Sequence, residues 1–317
     1  MFSKSTITIP SITPEWALDL WRFLPAQQSG PLPVIIMAHG FSANKRMGLT
    51  EYAEAFATEG YACIVFDYRR WGASGGKPRH SVYVSEQLDD YRTVVKYCRQ
   101  QPEFDPQRVI LWGSSFSGTS CPDASFVMQL TLPCRLGGHA ITLASEANLN
   151  ICTAIAQCPW TGIGVGPSFE LPFLKTLGYA ILDMLKQTIG LSPVYIPATA
   201  LPGEVGILTP PGSKSGMASI VKEQSDYPNE VSASSFFELP WYQPHLSAKN
   251  INCPLLVVAM RSDNLCYIQG ANKVTNEAPN ATLVKLEGGH FDLYPGNVCH
   301  KEALDAQVKF LKEKVPL

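Results

Sequence analysis

The fold is decided by the stretch Arg108-Val109-Ile110-Leu111-Trp112-Gly113-Ser114-Ser115-Phe116-Ser117-Gly118. Its apolar run ends in a glycine, and the serines that follow lead to a second glycine. This order is typical of a buried strand that turns sharply into a helix, with the hydroxyl of Ser115 exposed at the bend. Because such a turn is strained, bulky residues are excluded from its crowded positions. The stretch therefore predicts that Ser115 is a nucleophile.

Apolar runs alternate with amphipathic segments on both sides of this stretch. Strands are predicted at 33–38, 62–66, 108–112, 151–158, 255–260 and 282–286, after an entry hairpin formed by 5–9 and 15–24. Helices are predicted at 47–59, 84–101 and 299–314. Strands that alternate with helices indicate a parallel sheet with right-handed crossovers. We therefore predict an α/β fold in which helices flank a mostly parallel sheet.

Two residues downstream of Ser115 could complete a catalytic triad. A serine hydroxyl is a weak nucleophile until a base takes its proton, and His290 is the candidate base. His290 follows the last predicted strand, and Gly288 and Gly289 allow its loop to return over the serine. Asp263 follows the preceding strand and would stabilise the imidazolium. The order Ser115, Asp263, His290 is that of the α/β-hydrolase fold.

Other polar residues near these positions are weaker candidates. Asp292 and Glu287 are rival acids, but they lie too near His290 in the sequence to come from the preceding strand. His39 follows a predicted strand and could act as a second base, although a histidine there more often orders its loop. We expect Asp67, at the end of another strand, to order the turn that follows.

The oxyanion hole and the substrate pocket are predicted from the same strand ends. Two backbone N–H groups are expected to form the hole, that of Phe116 after the nucleophile and that of Phe41 after an earlier strand. Four aromatic residues are candidates for an apolar acyl pocket: Phe41, Trp71, Phe116 and Trp160.

The region after the fourth core strand breaks the alternation of strands and helices. We predict a first core part at 1–158, a cap insertion at 159–246 and a second core part at 247–317. The cap contains one amphipathic helix, whose apolar positions are Leu174, Leu177, Ile181, Leu182 and Leu185. We expect that face to cover the carboxyl edge of the sheet, where α/β folds place their sites. The alternative is that 159–246 is an inserted surface segment that does not cover the sheet edge.

Residues 119–137 form an anomalous insertion inside the expected nucleophile helix. Prolines 122 and 133 prevent the segment from extending that helix, since an interior proline costs roughly 3 kcal/mol. Joining Gly118 to Gly138 would restore a continuous helix start. We hypothesise that 119–137 is a retained intron, which would make the chain an inactive, mis-spliced product with a damaged oxyanion hole. The alternative is a genuine inserted loop.

Composition excludes several classes of function. The formal net charge of −2 gives no basic surface for nucleic acid, and no apolar run reaches the roughly 18 residues that span a bilayer. Nine cysteines without CxxC pairs, and no basic-then-apolar leader, favour an intracellular, cytoplasmic protein with free thiols. The sequence has no nucleotide-binding loop and no metal-ligand spacing, so we predict no cofactor and no metal. It leaves the oligomeric state open.

The motifs together resemble a known group of proteins. These motifs are Ala38-His39-Gly40-Phe41-Ser42-Ala43, Val65-Phe66-Asp67-Tyr68-Arg69, Gly113-Ser114-Ser115-Phe116-Ser117-Gly118 and Gly288-Gly289-His290-Phe291-Asp292. They resemble fungal α/β-hydrolases of secondary metabolism, which include the polyketide transferases and hydrolases of host-selective toxin clusters. The resemblance implies a Ser115-Asp263-His290 triad and an ester, thioester or polyketide-derived acyl substrate. Some such proteins have a peroxisomal C-terminus, but Val315-Pro316-Leu317 departs from the standard signal.

Function is therefore predicted as serine hydrolysis of a small acyl substrate through an acyl-enzyme. An acyl (polyketide) transferase would use the same triad and pass the acyl group to an alcohol instead of water. A prolyl-type peptidase and a non-catalytic scaffold are further alternatives.

Overall fold

The structure is a computed structural model that describes residues 1–26, 30–117, 139–163, 170–222 and 226–317, without the side chains of residues 240 and 241. The predicted insertion 119–137, and with it the intron hypothesis, lies outside the described residues.

A mixed sheet of eight strands forms the centre of the described part of the chain. The described residues form this sheet and a separate strand pair. In chain order all their strands are β1 (Phe2–Pro10), β2 (Ala17–Pro25), β3 (Leu32–Ala38), β4 (Ala62–Phe66), β5 (Phe104–Ser114), β6 (Thr153–Gln157), β7 (Tyr195–Pro197), β8 (Glu230–Ser232), β9 (Leu255–Met260) and β10 (Ala281–Leu286). Strands β7 and β8 pair separately, and the sheet order of the others is β1-β2-β4-β3-β5-β6-β9-β10. Within this sheet β3, β4, β5, β6, β9 and β10 are parallel, whereas β1 and β2 form an antiparallel edge.

Helices cover both faces of this sheet. They are α1 (Thr50–Thr58), α2 (Val84–Arg99), α3 (His139–Ser145), α4 (Leu171–Thr188), α5 (Ser213–Ile220), α6 (Glu238–Trp241), α7 (Ile268–Glu277) and α8 (His300–Lys314). The side chains of β5 alternate between two apolar cores: Val109 and Leu111 lie in one, and Ile110 and Trp112 in the other. Burial on both faces explains why the central strands are continuous apolar runs. No helix among the described residues is long and apolar enough to cross a membrane.

The predicted α/β architecture, in which helices flank a mostly parallel sheet, is confirmed. Strands β4 and β9 have the bounds predicted for them, and most other elements differ by a few residues. Strand β5 begins earlier than residue 108, because Phe104 continues the ladder by pairing with Leu32. Helix α7, between β9 and β10, was not predicted.

Helix α3 packs directly behind the turn at Ser115. A methyl group placed on Gly113 would lie 3.2 Å from Ala140 Cβ, so β5 and α3 are in close contact there. The sequence predicted that the nucleophile helix resumes at Gly138, and the structure begins α3 at His139.

Helix α4 differs from its prediction in the direction of its apolar face. It buries Thr176, Ala180 and Asp183, and it turns most of its leucine and isoleucine side chains toward solvent. Polar anchoring explains this orientation, since the Asp183 carboxylate accepts hydrogen bonds from Ser232 Oγ and from the Val194 amide. The expectation that this apolar face covers the sheet edge was therefore wrong. The boundaries of the cap remain a prediction.

Candidate active site

Ser115 lies at the bend that follows β5, in a backbone conformation that few non-glycine residues adopt. Its φ is 56°, and the 3₁₀ turn Ser115–Ser117 follows directly. Gly113 makes the bend sterically accessible, because a Cβ there would lie 2.1 Å from the Ser117 carbonyl oxygen. Strain of this kind costs on the order of 1–3 kcal/mol and is concentrated at functional sites. Ser115 thus lies at a sharp, strained turn after β5, and its role as the nucleophile stays a prediction.

His290 and Asp263 are brought together from the ends of neighbouring strands. His290 Nδ1 lies 2.7 Å from Asp263 Oδ2, and both side chains are buried. Asp263 Oδ1 accepts hydrogen bonds from the Leu265 and Cys266 amides at 2.8 and 2.7 Å. These bonds fix the carboxylate, so Oδ2 holds the imidazole with its proton on Nδ1.

The two rival acids have other partners. Asp292 Oδ2 accepts a hydrogen bond from the Gly289 amide at 2.7 Å, which shapes the loop that carries His290. Glu287 is largely exposed and pairs with Arg261 at 2.6 Å. Of the three acids that the sequence offered, Asp263 is the one that contacts the imidazole.

The two residues predicted for the oxyanion hole pack against each other beside Ser115. The Phe41 and Phe116 rings lie 5.5 Å apart in an edge-to-face arrangement. The Phe41 loop approaches the nucleophile closely, because a Cβ on Gly40 would lie 3.0 Å from Ser115 Cβ. Within the part of the chain that the structure describes, the Phe41 amide donates to no protein acceptor. The position suits an amide that binds a developing oxyanion.

An apolar cavity with roughly 480 Å³ of empty space, partly open to solvent, lies over Ser115 and His290. Five of its side chains come from the predicted cap: Trp160, Leu208, Met217, Ile220 and Leu239. Trp160 lines the cavity as predicted. Trp71 lies outside the lining and donates its indole N–H to the Ser81 carbonyl at 2.9 Å, so it is removed from the proposed pocket.

Comparison with known proteins assigns the family. The quorum-quenching protein AidA of Acinetobacter baumannii is 32% identical over 288 residues, which cover 90% of this chain and 88% of AidA. A thiohydrolase of Eupenicillium brefeldianum is 27% identical over 87% of this chain and 84% of its own length. The crystal structure of the α/β-hydrolase GrgF from Penicillium sp. sh18 superposes with a TM-score of 0.77 at 21% identity, covering 99% and 100% of the two chains.

This chain belongs to the α/β-hydrolase family. Residues 17–124 also match the model of the X-Pro dipeptidyl-peptidase S15 family, a match that covers about a third of this α/β-hydrolase. Its relatives include the fungal thiohydrolases and polyketide transferases that the sequence motifs resembled. The chain is thus an enzyme of the hydrolase or acyltransferase type.

Ser117 occupies the position where the nucleophile motif has its final glycine. In this α/β-hydrolase the Ser117 hydroxyl donates to the His39 carbonyl and accepts from the Tyr68 hydroxyl at 2.7 Å. The Ser117 side chain therefore connects the turn at Ser115 to the loop that carries Phe41.

The imidazole of His39 is buried, which lowers its pKa, and its Nδ1 lies 3.0 Å from the Gly40 carbonyl oxygen. This contact fits a role in ordering the loop.

Replacing Ser117 with alanine tests this connection. The variant leaves two buried polar groups without their partner, and we expect the free energy of unfolding to fall by about 1–3 kcal/mol. We also expect kcat to fall about tenfold, because a loss of about 1.4 kcal/mol in transition-state stabilisation corresponds to that factor. Urea unfolding and steady-state kinetics measure the two effects. Ser145→Ala, which removes a bond local to α3, is the control. Unchanged stability and kcat in Ser117→Ala would contradict the assigned role.

A buried lysine supports the same loop, and the sequence analysis did not single it out. Lys45 Nζ lies 2.5 Å from carboxylate oxygens of both Asp19 and Asp67, and its amide donates to Asp67 at 2.7 Å. Asp67 also accepts from the Ala73 amide, so it orders the turn as expected, although Lys45 is its main partner. The three residues join β2, the Phe41 loop and the end of β4.

A second polar network runs beneath Ser115. The Tyr294 hydroxyl lies 2.7 Å from Ser114 Oγ, which also accepts from the Gln157 amide at 3.3 Å. Gln157 accepts from Gln307 of α8, and Gln307 accepts from the Trp112 indole. The chain of bonds links the turn at Ser115, the loop after His290 and the C-terminal helix.

Two cysteines adjoin the triad residues. Ser115 Oγ lies 3.9 Å from Cys266 Sγ, which is its hydrogen-bond partner among the described residues. Cys158 contacts Asp263, and donor atoms of Cys158, Asp263 and His290 lie within 4.8 Å of one another. The sequence did not predict this adjacency, because it depends on the turns after β6 and β9.

Both thiols are expected to resist alkylation in the folded enzyme. Burial raises the pKa of Cys158 and of Cys266 well above the usual thiol value, so the reactive thiolate is scarce at pH 8. We expect iodoacetamide at that pH to leave both unmodified in the native chain and to modify both in urea, as mass spectrometry of peptides would show. Modification of native Cys266 at the rate of a free thiol would contradict this.

Proposed function

We propose that this α/β-hydrolase is a serine hydrolase that cleaves an ester, thioester or polyketide-derived acyl substrate through an acyl-enzyme, in secondary-metabolite biosynthesis. The proposal rests on one observation above all. A buried Asp263–His290 pair with 2.7 Å between its atoms adjoins a strained Ser115 at the base of an apolar cavity. This arrangement combines a nucleophile, a base and an orienting carboxylate.

In the first half of the reaction, His290 Nε2 takes the proton of Ser115 as Oγ attacks the acyl carbonyl. The oxyanion accepts hydrogen bonds from the Phe41 and Phe116 amides. The bond to the alcohol or thiol then breaks, and His290 returns its proton to the leaving group. The Ser115 hydroxyl must rotate from Cys266 toward His290 for this step, and catalytic hydrogen bonds often form only when substrate binds.

In the second half, His290 activates the acceptor that releases the acyl group from Ser115. Water as acceptor gives hydrolysis, and an alcohol gives acyl transfer with the same residues. The two outcomes differ in whether the cavity admits water or the alcohol to the acyl-enzyme. Because both activities occur among the relatives, acyl transfer is the alternative function that we retain.

The lining of the cavity indicates the character of the acyl group. None of the lining residues in the described part of the chain is an acidic residue, a lysine or an arginine. Leu208, Met217, Ile220 and Leu239 supply aliphatic surface, and Phe291 adds an aromatic ring. A lining that is mostly apolar favours uncharged ligand groups. We therefore propose an uncharged, largely apolar acyl chain as the substrate part that enters the cavity.

The relationship to a quorum-quenching protein favours a second candidate role, the removal of a bacterial signalling compound. Incubating quorum-signal-containing culture supernatant with the enzyme, and then adding a reporter strain, tests this role. Loss of the reporter response with the native chain, but not with Ser115→Ala, would support it.

Fluorophosphonate labelling tests the nucleophile directly. The full chain and a variant lacking 119–137 are treated with the probe, each beside its Ser115→Ala counterpart. Labelling that disappears with Ser115→Ala supports the proposed triad. If only the deletion variant is labelled, the insertion blocks the site as the intron hypothesis predicts. If the full chain is labelled equally well, the insertion is tolerated. If neither folded protein is labelled, the serine-hydrolase proposal fails.

Product analysis separates hydrolysis from acyl transfer. Enzyme that has not been treated with the probe is supplied with medium-chain acyl thioesters and esters, with and without a primary alcohol. Free acid in both reactions supports hydrolysis, and a new ester that depends on the alcohol supports acyl transfer. An alanyl-proline anilide in the same assay examines the peptidase alternative.

A further inference from the structure

Helix α4 exposes an apolar surface that the described residues of the chain do not cover. We define its outer face as Leu171, Leu174, Ile181, Leu182, Leu185 and Ile189. Each of these side chains is between 43% and 72% exposed. The opposite side of the helix carries Thr176, Ala180 and Asp183 and is buried against the rest of the cap. The usual distribution of a surface helix, with the apolar side inward, is thus inverted.

The outer face has the spacing of a helix-packing surface. Positions 171, 174, 178, 182, 185 and 189 recur at intervals of three and four residues, which places them on one stripe. Gly178 lies in the middle of the stripe, and a Cβ built there would contact nothing. A glycine inside a helix costs up to about 1 kcal/mol relative to alanine. Its place in the stripe provides a shallow groove in which a second helix can approach closely.

The area of this surface suits a protein interface. The outer face together with its neighbours Tyr179 and Leu191, also at least 43% exposed, presents apolar surface on the order of 800 Å². That is about the area which each partner contributes to a stable interface, and it exceeds the roughly 300–600 Å² of the largest patch on a typical monomer.

We propose that α4 packs antiparallel against α4 of a second copy of this chain, across a two-fold axis beside Gly178. A two-fold axis at this position opposes residues whose numbers are symmetric about 178. Leu174 then faces Leu182, Leu171 faces Leu185, and the two Gly178 residues meet at the crossing point. The same stripe is thus complementary to itself, as an isologous interface requires. Lys175 and Lys186 lie along one edge of the stripe, where their ammonium groups stay solvated at the rim.

Light scattering coupled to size-exclusion chromatography tests the interface. We expect the native chain to have twice its mass of 34.7 kDa. The double variant Leu182→Lys, Leu185→Lys should be monomeric with unchanged circular dichroism, because both side chains are already exposed. Val298→Lys, which changes an 85% exposed apolar residue elsewhere, is the matched control and should remain dimeric. A monomeric native chain, or a dimer that persists in the double variant, would overturn the proposal.

Cross-linking locates the axis. Oxidised Gly178→Cys should form a covalent dimer on a non-reducing gel, since a disulfide needs Cβ atoms about 3.8 Å apart. The control Ser219→Cys, exposed on α5, should remain uncrosslinked, as should the native chain.

Flotation with phosphatidylcholine vesicles tests whether a lipid surface covers the outer face instead of a second copy of the chain. Capture of the native chain, but not of the double variant, by vesicles would show that the surface binds lipid and would overturn the dimer.

Discussion

Replacing Asp263 with asparagine is expected to lower kcat by about four orders of magnitude while the fold remains intact. The reason lies in the hydrogen bonds that orient this side chain. Oδ1 accepts from the Leu265 and Cys266 amides, so the oxygen of an asparagine must occupy that position. The NH₂ group then faces His290 Nδ1 and donates to it. The imidazole is forced into the tautomer protonated on Nε2, which cannot accept the proton of Ser115.

The variant Asp292→Asn provides the matched control. Asp292 belongs to the same loop as His290, and its carboxylate shapes that loop by accepting a hydrogen bond from the Gly289 amide. Among the described residues it forms no hydrogen bond with the imidazole. We expect its kcat to stay within about tenfold of the native value, a change of at most about 1.4 kcal/mol in the barrier. Steady-state kinetics with a p-nitrophenyl ester, together with thermal unfolding, measure both variants. An Asp263→Asn variant that keeps a tenth of the native kcat would refute the assigned role.

Replacing Gly113 with alanine is expected to cost about 3 kcal/mol of stability and to reduce kcat at least about 100-fold. The new Cβ would lie 2.1 Å from the Ser117 carbonyl oxygen and 2.7 Å from its carbon. These are backbone atoms of the turn that follows Ser115, so the turn must move as a unit. The displacement carries the Phe116 amide away from the oxyanion and misplaces the nucleophile.

Gly289→Ala serves as the comparison for Gly113→Ala. A Cβ on Gly289 meets its nearest atom, Asp292 Oδ2, at 3.8 Å, which is ordinary van der Waals contact. We expect that variant to keep most of its stability and activity, although it lies beside His290. Urea unfolding and kinetics on both variants decide the matter. Native-like behaviour of Gly113→Ala would mean that the turn relaxes without consequence, contrary to the steric argument.

The sequence predicted much of the sheet because its central strands are buried on both faces. Continuous apolar runs such as Leu255–Met260 have clear ends, and the residues after them fall at one edge of a parallel sheet. The proximity of Asp263 and His290 follows from this regularity, as does that of Phe41 and Phe116. Such predictions need only the order of strands and the direction of the chain.

Features set by turns and side-chain competition were not predictable in the same way. The direction of α4 depends on the anchoring of Asp183 by residues of another segment, which outweighs the apolar period of the helix. Lys45 is fully buried because two distant carboxylates surround it, and its type alone predicts a solvated side chain. Trp71 has an aromatic ring suited to a pocket, but the backbone after β4 directs its indole to Ser81.

The bonds among Tyr294, Ser114, Gln157 and Gln307 have a consequence for how the enzyme becomes competent. They span 193 positions of the chain, from Ser114 to Gln307, and join the nucleophile turn to the final helix. During synthesis the nucleophile leaves the ribosome long before its base and the residues that brace both. We therefore expect a chain that lacks the last helix to have no assembled centre and no reactivity toward acyl compounds.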